Sequence, residues 1–195
     1  MKFTVVVLAF NEERFIERCL RSLMFQKTQY DFEILVVNDA STDATPNIIE
    51  RLSATVNNIR VINMQTNSGI GACAQKGLEN VNTQYFTRVD GDDFVSEYFI
   101  QVMGMAVVSR GLEAASCDYF ITDEKSHIIG YGSPTNRAIA CGVFYDKDFL
   151  LQLGGYSRTS TVYEDVDLNN RLNKATEIVN IPIPLYRYRA HDSNT

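Results

Sequence analysis

Three carboxylates fall within four residues at the point where an apolar segment ends. The segment from Tyr85 to Val89 is followed at once by Asp90, Asp92 and Asp93. Carboxylates this close repel one another and raise each other's pKa unless a cation lies among them. A divalent metal such as Mg²⁺, held by one or two carboxylates and by the phosphates of a substrate, would relieve that repulsion. A solvated acidic turn explains the same residues equally well, because Asp and Gly are common in turns.

The composition narrows the range of functions. A chain of 195 residues suffices for one domain with a substantial core. Its formal net charge of -6 argues against bulk electrostatic binding to nucleic acid or to an anionic membrane. The four cysteines form no CxxC pair, which favours free thiols in a reducing cytosol. No apolar run approaches the roughly 20 residues that span a bilayer. We therefore expect a cytoplasmic protein, and leave peripheral association with the inner face of the membrane open.

Strands and helices alternate along the first half of the chain. Near-continuous apolar segments, typical of buried parallel strands, cover 3–10, 32–37, 59–64 and 85–89. Segments with helical spacing follow them, the first from an expected N-cap at Asn11 and the second with Pro46 in its first turn. This alternation predicts a mostly parallel, doubly wound sheet with helices on both faces.

The second half predicts a smaller antiparallel region without a linker before it. Helices are expected after Glu97, at 146–153 and from Tyr163 onward, and strands at 114–122, 127–131, 139–145 and 176–181. Pro182 and Pro184 are expected to force an extended, unpaired segment after the last strand. We therefore expect one domain over residues 1–195.

Polar residues gather where the predicted strands end. Asn11, Asp39 and the segment 90–93 follow three strands of one parallel sheet, whose carboxyl ends share one edge and form a ligand crevice. In an extended tail, Arg187, Arg189 and His191 would share one face. That face would suit a diphosphate and its metal, although spacing alone favours an ordinary surface histidine.

Seven segments, in this order, resemble those of the family-2 glycosyltransferases, which are inverting enzymes with the GT-A fold. The resemblance runs from Val5 to His191. The segments lie at residues 7–13, 38–43, 67–72, 90–93, 154–156, 164–168 and 186–191.

The resemblance implies a role for each matched residue. Asp39 would accept a hydrogen bond from the nucleotide base, usually uracil, and Asp90 would lie nearer the ribose. Asp92 and His191 would bind Mn²⁺ or Mg²⁺, with Asp93 close by. Asp165 would be the catalytic base, and Glu164 would help to hold the acceptor. The nucleotide-binding residues that the resemblance implies are Ala9, Phe10, Asn11, Glu12, Asp39, Asn67, Gly71, Asp90 and Gly91.

These roles make a consistent reaction. An inverting transfer needs one base for the acceptor hydroxyl and a cation for the leaving diphosphate. The implied donor is a nucleotide-sugar, usually a UDP-sugar, bound by residues 1–93. The implied acceptor is a saccharide or lipid-linked saccharide, bound by residues 94–195. The oligomeric state stays open.

Three positions depart from the family pattern. Ala40 stands where many relatives have glycine, and we expect the chain to tolerate it. Cys73 and Gln75 stand where relatives often have arginine and asparagine, which puts in doubt any phosphate contact of that arginine.

Three alternatives remain. Gly69-x-Gly71-x-x-Ala74 has the form of a dinucleotide fingerprint, which would suggest an NAD-dependent oxidoreductase. The second alternative is a non-catalytic nucleotide-sugar-binding module of the same fold. The third is a polyprenyl-phosphate sugar synthase resembling the dolichyl-phosphate mannose synthases. Those usually carry an Asp-Ala-Asp-Leu cluster, and because Asp93 adds a second consecutive acid here, we favour a saccharide acceptor.

Overall fold

One sheet organises the chain, and its first four strands are parallel. The structure, a computed structural model, describes residues 1–134, 141–158 and 164–191, apart from the side chains of Glu164 and Asp165. The first four strands have the spatial order β3-β2-β1-β4, with parallel pairing throughout. They are β1 (Lys2–Ala9), β2 (Asp31–Asn38), β3 (Ile59–Asn63) and β4 (Tyr85–Asp90). Apolar side chains cover both faces of the central strands, as their sequences predicted.

The remaining strands complete the sheet with mixed pairing. They are β5 (Phe94–Val95), β6 (Ala114–Thr122), β7 (Ile128–Gly132), β8 (Phe144–Asp146) and β9 (Val179–Arg189). Strand β8 lies antiparallel between β4 and β6. Strand β6 pairs with β9 in parallel and with β7 in the antiparallel sense, and β5 is antiparallel to β9. The first part of the strand expected at 139–145 lies outside the described residues.

Helices pack on both faces of the sheet. They are α1 (Ile16–Met24), α2 (Thr45–Ser53), α3 (Ile70–Glu79), α4 (Phe99–Arg110), α5 (Lys147–Gln152) and α6 (Glu164–Ala175). Apolar residues of α1, α2 and α4 share one core with Val5 and Val7 of β1, whereas those of α3, α5 and α6 share the other core with Val6 and Leu8. Because neighbouring residues of a strand face opposite sides, β1 contributes to both cores. Among the helices that the structure describes, none has the length and hydropathy needed to cross a bilayer.

Two local expectations were wrong. Asn11 is not a helix N-cap: its φ is 55°, and α1 starts at Ile16 after Phe15. The segment after Pro182 is not unpaired either, because β9 continues beside β6 as far as Arg189. The register between β6 and β9 shifts on either side of the Asp118–Pro184 pair, and this irregularity accommodates prolines that cannot donate to a regular ladder.

Candidate active site

The ends of β1, β2 and β4 form one rim of the sheet. In the register of the strands, Ala9 pairs with Asn38 and Leu8 pairs with Asp90. The backbone N–H of Asp39 donates to the carbonyl of Ala9 at 2.9 Å, which joins the first two strand ends. The polar segments that follow the three strands therefore lie side by side, as the strand–helix alternation predicted.

Asp39 holds the segment that leads into α3. Its carboxylate is buried and accepts hydrogen bonds from the backbone N–H groups of Ser68 and Gly69, both at 2.9 Å. Asn67 precedes these two residues in the chain, and Gly71 follows them in the first turn of α3. A dinucleotide fingerprint places a pyrophosphate at such a helix start. Here a carboxylate of the chain itself occupies that position, which argues against the NAD alternative.

The segment after β1 is fixed to the loop before α2. The backbone N–H of Asn11 donates to Ser41 Oγ at 3.0 Å, and Asn11 Oδ1 accepts from the N–H of Thr42 at 2.8 Å. The N–H of Glu12 donates to Thr45 Oγ1 at 2.8 Å. These bonds hold the left-handed backbone of Asn11 and leave the ring of Phe10 44% exposed at the rim, where a flat ligand could contact it.

Asp90 receives a guanidinium fork from Arg88. Arg88 Nε lies 2.7 Å from Asp90 Oδ1 and Arg88 Nη2 lies 3.1 Å from Oδ2, with the arginine side chain 2% exposed. Arg88 was not among the site residues predicted from the sequence. The sequence nevertheless indicated this pair. Arg88 lies inside a buried strand two positions before Asp90, and residues i and i+2 of a strand share a face.

Asp92 and His191 meet across the site. Asp92 Oδ2 and His191 Nε2 lie 3.0 Å apart, and their side chains are 18% and 5% exposed. The imidazole also packs on the ring of Phe15, with 5.2 Å between the ring centroids. The two atoms are within hydrogen-bonding distance of each other, and two ligands of one octahedral cation would have a similar separation.

Asp93, in contrast, faces the interior. Its carboxylate accepts hydrogen bonds from Tyr186 Oη at 2.6 Å and from the backbone N–H of Arg189 at 2.7 Å. Burial, and then the charges of Asp92 and Asp90, raise the pKa of Asp93 well above its ordinary value. The third acid of the cluster therefore ties the rim to β9.

Two groups of side chains in the described part of the chain are candidates for a metal. Asp90, Asp93 and Cys141 bring one ligand atom each within 4.8 Å of one another. However, both oxygens of Asp90 face Arg88 and both oxygens of Asp93 are hydrogen-bonded. A buried thiol also suits softer metals than Mg²⁺ or Mn²⁺. Asp92 and His191 fit a divalent cation better, because their ligand atoms converge.

Glu12 is a further carboxyl group at the rim. Burial, and then the charges of Asp92, Asp90 and Asp43, raise its pKa to about 8. Burial is the first cause of this shift and the charges of the neighbouring carboxylates add to it, so a cation bound at the rim would favour the ionised form of Glu12.

Gly91 lets the acidic loop approach β1. A Cβ at this position would lie 2.7 Å from the carbonyl oxygen of Leu8 and 3.3 Å from Cγ of Glu12. Real Cβ atoms essentially never come within 3.0 Å of a backbone oxygen, so the loop requires glycine here.

The two tail arginines do not face a diphosphate, contrary to the expectation from their alternation. Arg187 donates to the carbonyls of Pro184 at 2.6 Å and Tyr186 at 3.2 Å, and its guanidinium lies over Phe120. Arg189 is 1% exposed and donates to backbone carbonyls. The alternation was right about an extended strand, but both guanidiniums are used to hold the chain's own backbone.

The start of α6 carries the expected base, although the side chains of Glu164 and Asp165 lie outside the described residues. Further along the helix, Arg171 Nη2 lies 2.8 Å from Asp167 Oδ2. Arg171 also donates to the carbonyls of Leu153 at 2.6 Å and Gly155 at 2.8 Å. These two bonds anchor α6 to the turn at residues 153–155, which follows α5.

The departures at Cys73 and Gln75 have structural roles. Cys73 is buried with its Sγ 3.5 Å from the carbonyl oxygen of Val37. Gln75 Oε1 accepts from the backbone N–H of Tyr156 at 2.9 Å, which ties α3 to the segment after α5. Neither side chain is free to replace the phosphate contact of an arginine. Ala40, the third departure, has a φ of 58°. This is the left-handed region, where alanine is less favourable than the glycine of many relatives.

Comparisons with known proteins show which sequences and structures the chain resembles. The profile described as Glycosyl transferase family 2 matches residues 4–133. Glycosyltransferase GlyA of Streptococcus pneumoniae is 34% identical over 66% of this chain and 19% of its own length. The teichoic acid poly(glycerol phosphate) polymerase of Staphylococcus epidermidis is 39% identical over 51% of this chain and 14% of its own length. The chain therefore spans less than a fifth of either relative.

Solved structures share the fold. S. aureus TarS 1-349 in complex with UDP superposes with a TM-score of 0.82 and 20% identity, over 97% of this chain and 61% of that protein. The complex of the same protein with UDP-GlcNAc gives a TM-score of 0.82 and 19% identity, over 100% of this chain and 60% of that protein. The α/β fold class that the sequence predicted is confirmed.

Proposed function

Because the chain belongs to glycosyl transferase family 2, we propose that it moves a sugar, with inversion, from a nucleoside-diphosphate sugar to a saccharide or lipid-linked saccharide acceptor. The observation that carries this proposal is the convergence of three groups on one rim: buried Asp39, Asp90 held by Arg88, and Asp92 paired with His191. Together they offer acceptors for a base and a ribose, and ligands for a cation beside a diphosphate.

The donor in this proposal is a UDP-sugar. TarS, which shares the fold, has been solved with UDP and with UDP-GlcNAc. In this chain the nucleotide would lie along the rim, with its base near Asp39 and the exposed ring of Phe10 and its ribose near Asp90. Asp39 keeps lone pairs for a ligand, because a carboxylate has about four acceptor sites and two are used by Ser68 and Gly69.

Asp92 and His191 would hold Mn²⁺ or Mg²⁺, which would neutralise charge on the departing diphosphate. The other residues of the chain prepare that position. Arg88 keeps Asp90 oriented by its two hydrogen bonds, and Phe15 supports the imidazole of His191 from one side. Glycine at position 91 keeps the two acids close to β1.

Asp165 is the proposed general base, and Glu164 the proposed contact for the acceptor. Both start a helix that Arg171 fixes against Leu153 and Gly155. A base held at a helix start can accept the proton of the acceptor hydroxyl as the bond to the anomeric carbon forms. In this arrangement residues 1–93 bind the donor and residues 94–195 bind the acceptor.

The relatives support an acceptor from cell-envelope glycans. One of them is a teichoic acid polymerase of Staphylococcus epidermidis. A hollow of about 410 Å³ lies beside His191 and offers room for part of such a ligand. Asp123, Glu124, Lys125, His127, Ala190 and His191 line it.

Thermal unfolding with UDP, GDP, dTDP and NAD, each with and without Mn²⁺, tests the donor. A ligand at about 100 times its dissociation constant stabilises the folded state by roughly 2.7 kcal/mol. We expect a shift with UDP that requires Mn²⁺. A shift with NAD alone would overturn the proposal in favour of an oxidoreductase.

Transfer activity tests the base. We expect Asp165→Asn to abolish sugar transfer and to leave UDP binding unchanged. Asp167→Asn is the matched control, since this acid lies on the same helix and pairs with Arg171 on the surface. If D165N retains as much activity as D167N, Asp165 is not the base. Binding of UDP without any turnover by the wild type would favour a non-catalytic module.

A further inference from the structure

Arg189 and Arg187 lie two residues apart on β9 but hold different parts of the molecule. Arg187 donates to carbonyls of its own strand. The Arg189 guanidinium instead reaches the acidic loop, where its Nε donates to the carbonyl oxygen of Asp92 at 2.7 Å. The backbone N–H of the same residue donates to Asp93 Oδ1 at 2.7 Å. One residue thus binds both consecutive acids that follow Gly91.

The other end of the Arg189 guanidinium holds the turn between β6 and β7. Its Nη1 donates to the carbonyls of Asp123 at 3.1 Å and Glu124 at 2.8 Å, and to Ser126 Oγ at 3.1 Å. This turn lines the hollow beside His191. The guanidinium therefore links the loop that carries Asp92 with the turn that shapes the space next to the imidazole.

The same guanidinium is stacked on a ring that also supports His191. It lies 4.6 Å from the centroid of Phe15, and the imidazole ring lies 5.2 Å from that centroid. At 1% exposure, Arg189 is shielded from solvent. A planar group with five N–H donors is suited to such simultaneous contacts, and a lysine in its place could not reproduce them.

We propose that Arg189 is a positioning residue for the transfer reaction. It fixes the backbone of Asp92 and the ring of Phe15, so that Asp92 Oδ2 and His191 Nε2 are held 3.0 Å apart before any ligand binds. The inference that this pair then receives the metal of the donor diphosphate rests on the proposed function. The inference that Arg189 holds the pair does not.

The first measurement is made on metal-free protein and reports the pair directly. The chain has two histidines, so the imidazole nitrogens of His191 and His127 can be assigned by nitrogen NMR with one H127Q variant. We expect Arg189→Met to move the His191 signals and Arg187→Met to leave them in place. Unchanged His191 signals in R189M would overturn the proposal.

A second variant covers the case in which R189M does not fold. Ser126→Ala keeps the guanidinium but removes one acceptor from the turn, and Arg189→Lys keeps the charge without the fork. We expect a smaller movement of the His191 signals in both. His191 signals that match the wild type in S126A and in R189K would contradict the proposal.

The second measurement is Mn²⁺ affinity in the presence of UDP, followed by the electron paramagnetic resonance of free Mn²⁺. Loss of a residue that orients metal ligands typically weakens metal binding about 10–100-fold, and we expect this of R189M, a smaller loss in R189K and none in R187M. If wild-type protein binds no Mn²⁺ even with UDP, the metal-dependent function fails, and the NMR result alone decides the role of Arg189. Normal Mn²⁺ affinity in R189M would overturn that role.

Discussion

The imidazole Nε2 of His191 lies 3.0 Å from Oδ2 of Asp92, although the two residues are 99 positions apart in the chain. Strand β9 runs beside β6 and delivers the histidine to the rim where β4 ends. Neither residue alone would distinguish a cation site from an ordinary acidic turn. Their convergence, with both side chains mostly buried, is what favours a shared cation.

The pair predicts a specific pattern of non-additivity. Asp92→Asn and His191→Gln should each weaken Mn²⁺-dependent UDP binding roughly tenfold or more, and the double variant should be little worse than either single one, because both ligands serve one ion. Isothermal titration with UDP and Mn²⁺ measures this. His127→Gln is the control, since His127 is exposed and pairs with Asp123. Strictly additive losses would argue for separate roles.

Arg88 predicts a stability effect that a second substitution relieves. Removing one partner of a buried ion pair typically costs about 3–5 kcal/mol, because the other charge is left uncompensated. Asp90 is 23% exposed, so solvent compensates part of its charge, and we expect Arg88→Met to lose less than this and the double variant R88M/D90N to recover part of the loss. Urea unfolding of the two variants checks it. A double variant less stable than R88M would show that the fork is not the main partner of Asp90.

Glu12 predicts a pH-dependent stability difference. The unfolded chain releases the proton of this carboxyl near its ordinary pKa of 4.5, whereas the folded protein keeps it until about pH 8. The folded state therefore loses stability relative to the unfolded state as the pH rises between those values. We expect metal-free Glu12→Gln to match the wild type near pH 4 and to exceed it increasingly toward pH 8. Thermal midpoints across this range measure the difference, and a constant difference would contradict the cause.

Ala40 predicts a stabilising substitution. Its φ of 58° places an L side chain in the left-handed region, which costs about 1–2 kcal/mol for residues other than glycine. Ala40→Gly should remove that strain but add freedom to the unfolded chain, for a net gain near 1 kcal/mol. The midpoint should rise by about 2–4 °C for a chain of this size. Ala106→Gly, in the interior of α4, should lower it, because glycine is unfavourable inside a helix.

The sequence was most informative where the pattern was local. The alternation of apolar segments with helical spacing placed β1 to β4 and their helices, because periodicity depends on which face of an element is buried. Strand β6 was predicted with its observed bounds, Ala114–Thr122. The two-residue strand β5 was missed, because a pair of residues has no periodicity to detect.

The site was harder to predict, because its geometry depends on contacts between distant segments. Asp93 was expected near the metal, yet Tyr186 and Arg189 turn it inward. The same two contacts could not be read from spacing, since the register of β9 is irregular. Asn11 failed as an N-cap for a related reason: its side chain binds the backbone of Thr42, on another loop.

The irregular register between β6 and β9 restricts the length of the segment that leads to His191. Cys117 of β6 pairs with Ile181 of β9, and Tyr119 pairs with Tyr186. Over this part of the sheet β9 therefore has three more residues than β6. An odd surplus exchanges the two faces of a strand. Insertions or deletions of one residue between Ile181 and Tyr186 would therefore turn His191 away from Asp92, whereas the loop before Val179 could vary in length. In this part of the chain, the number of residues therefore matters for the site as much as their identity.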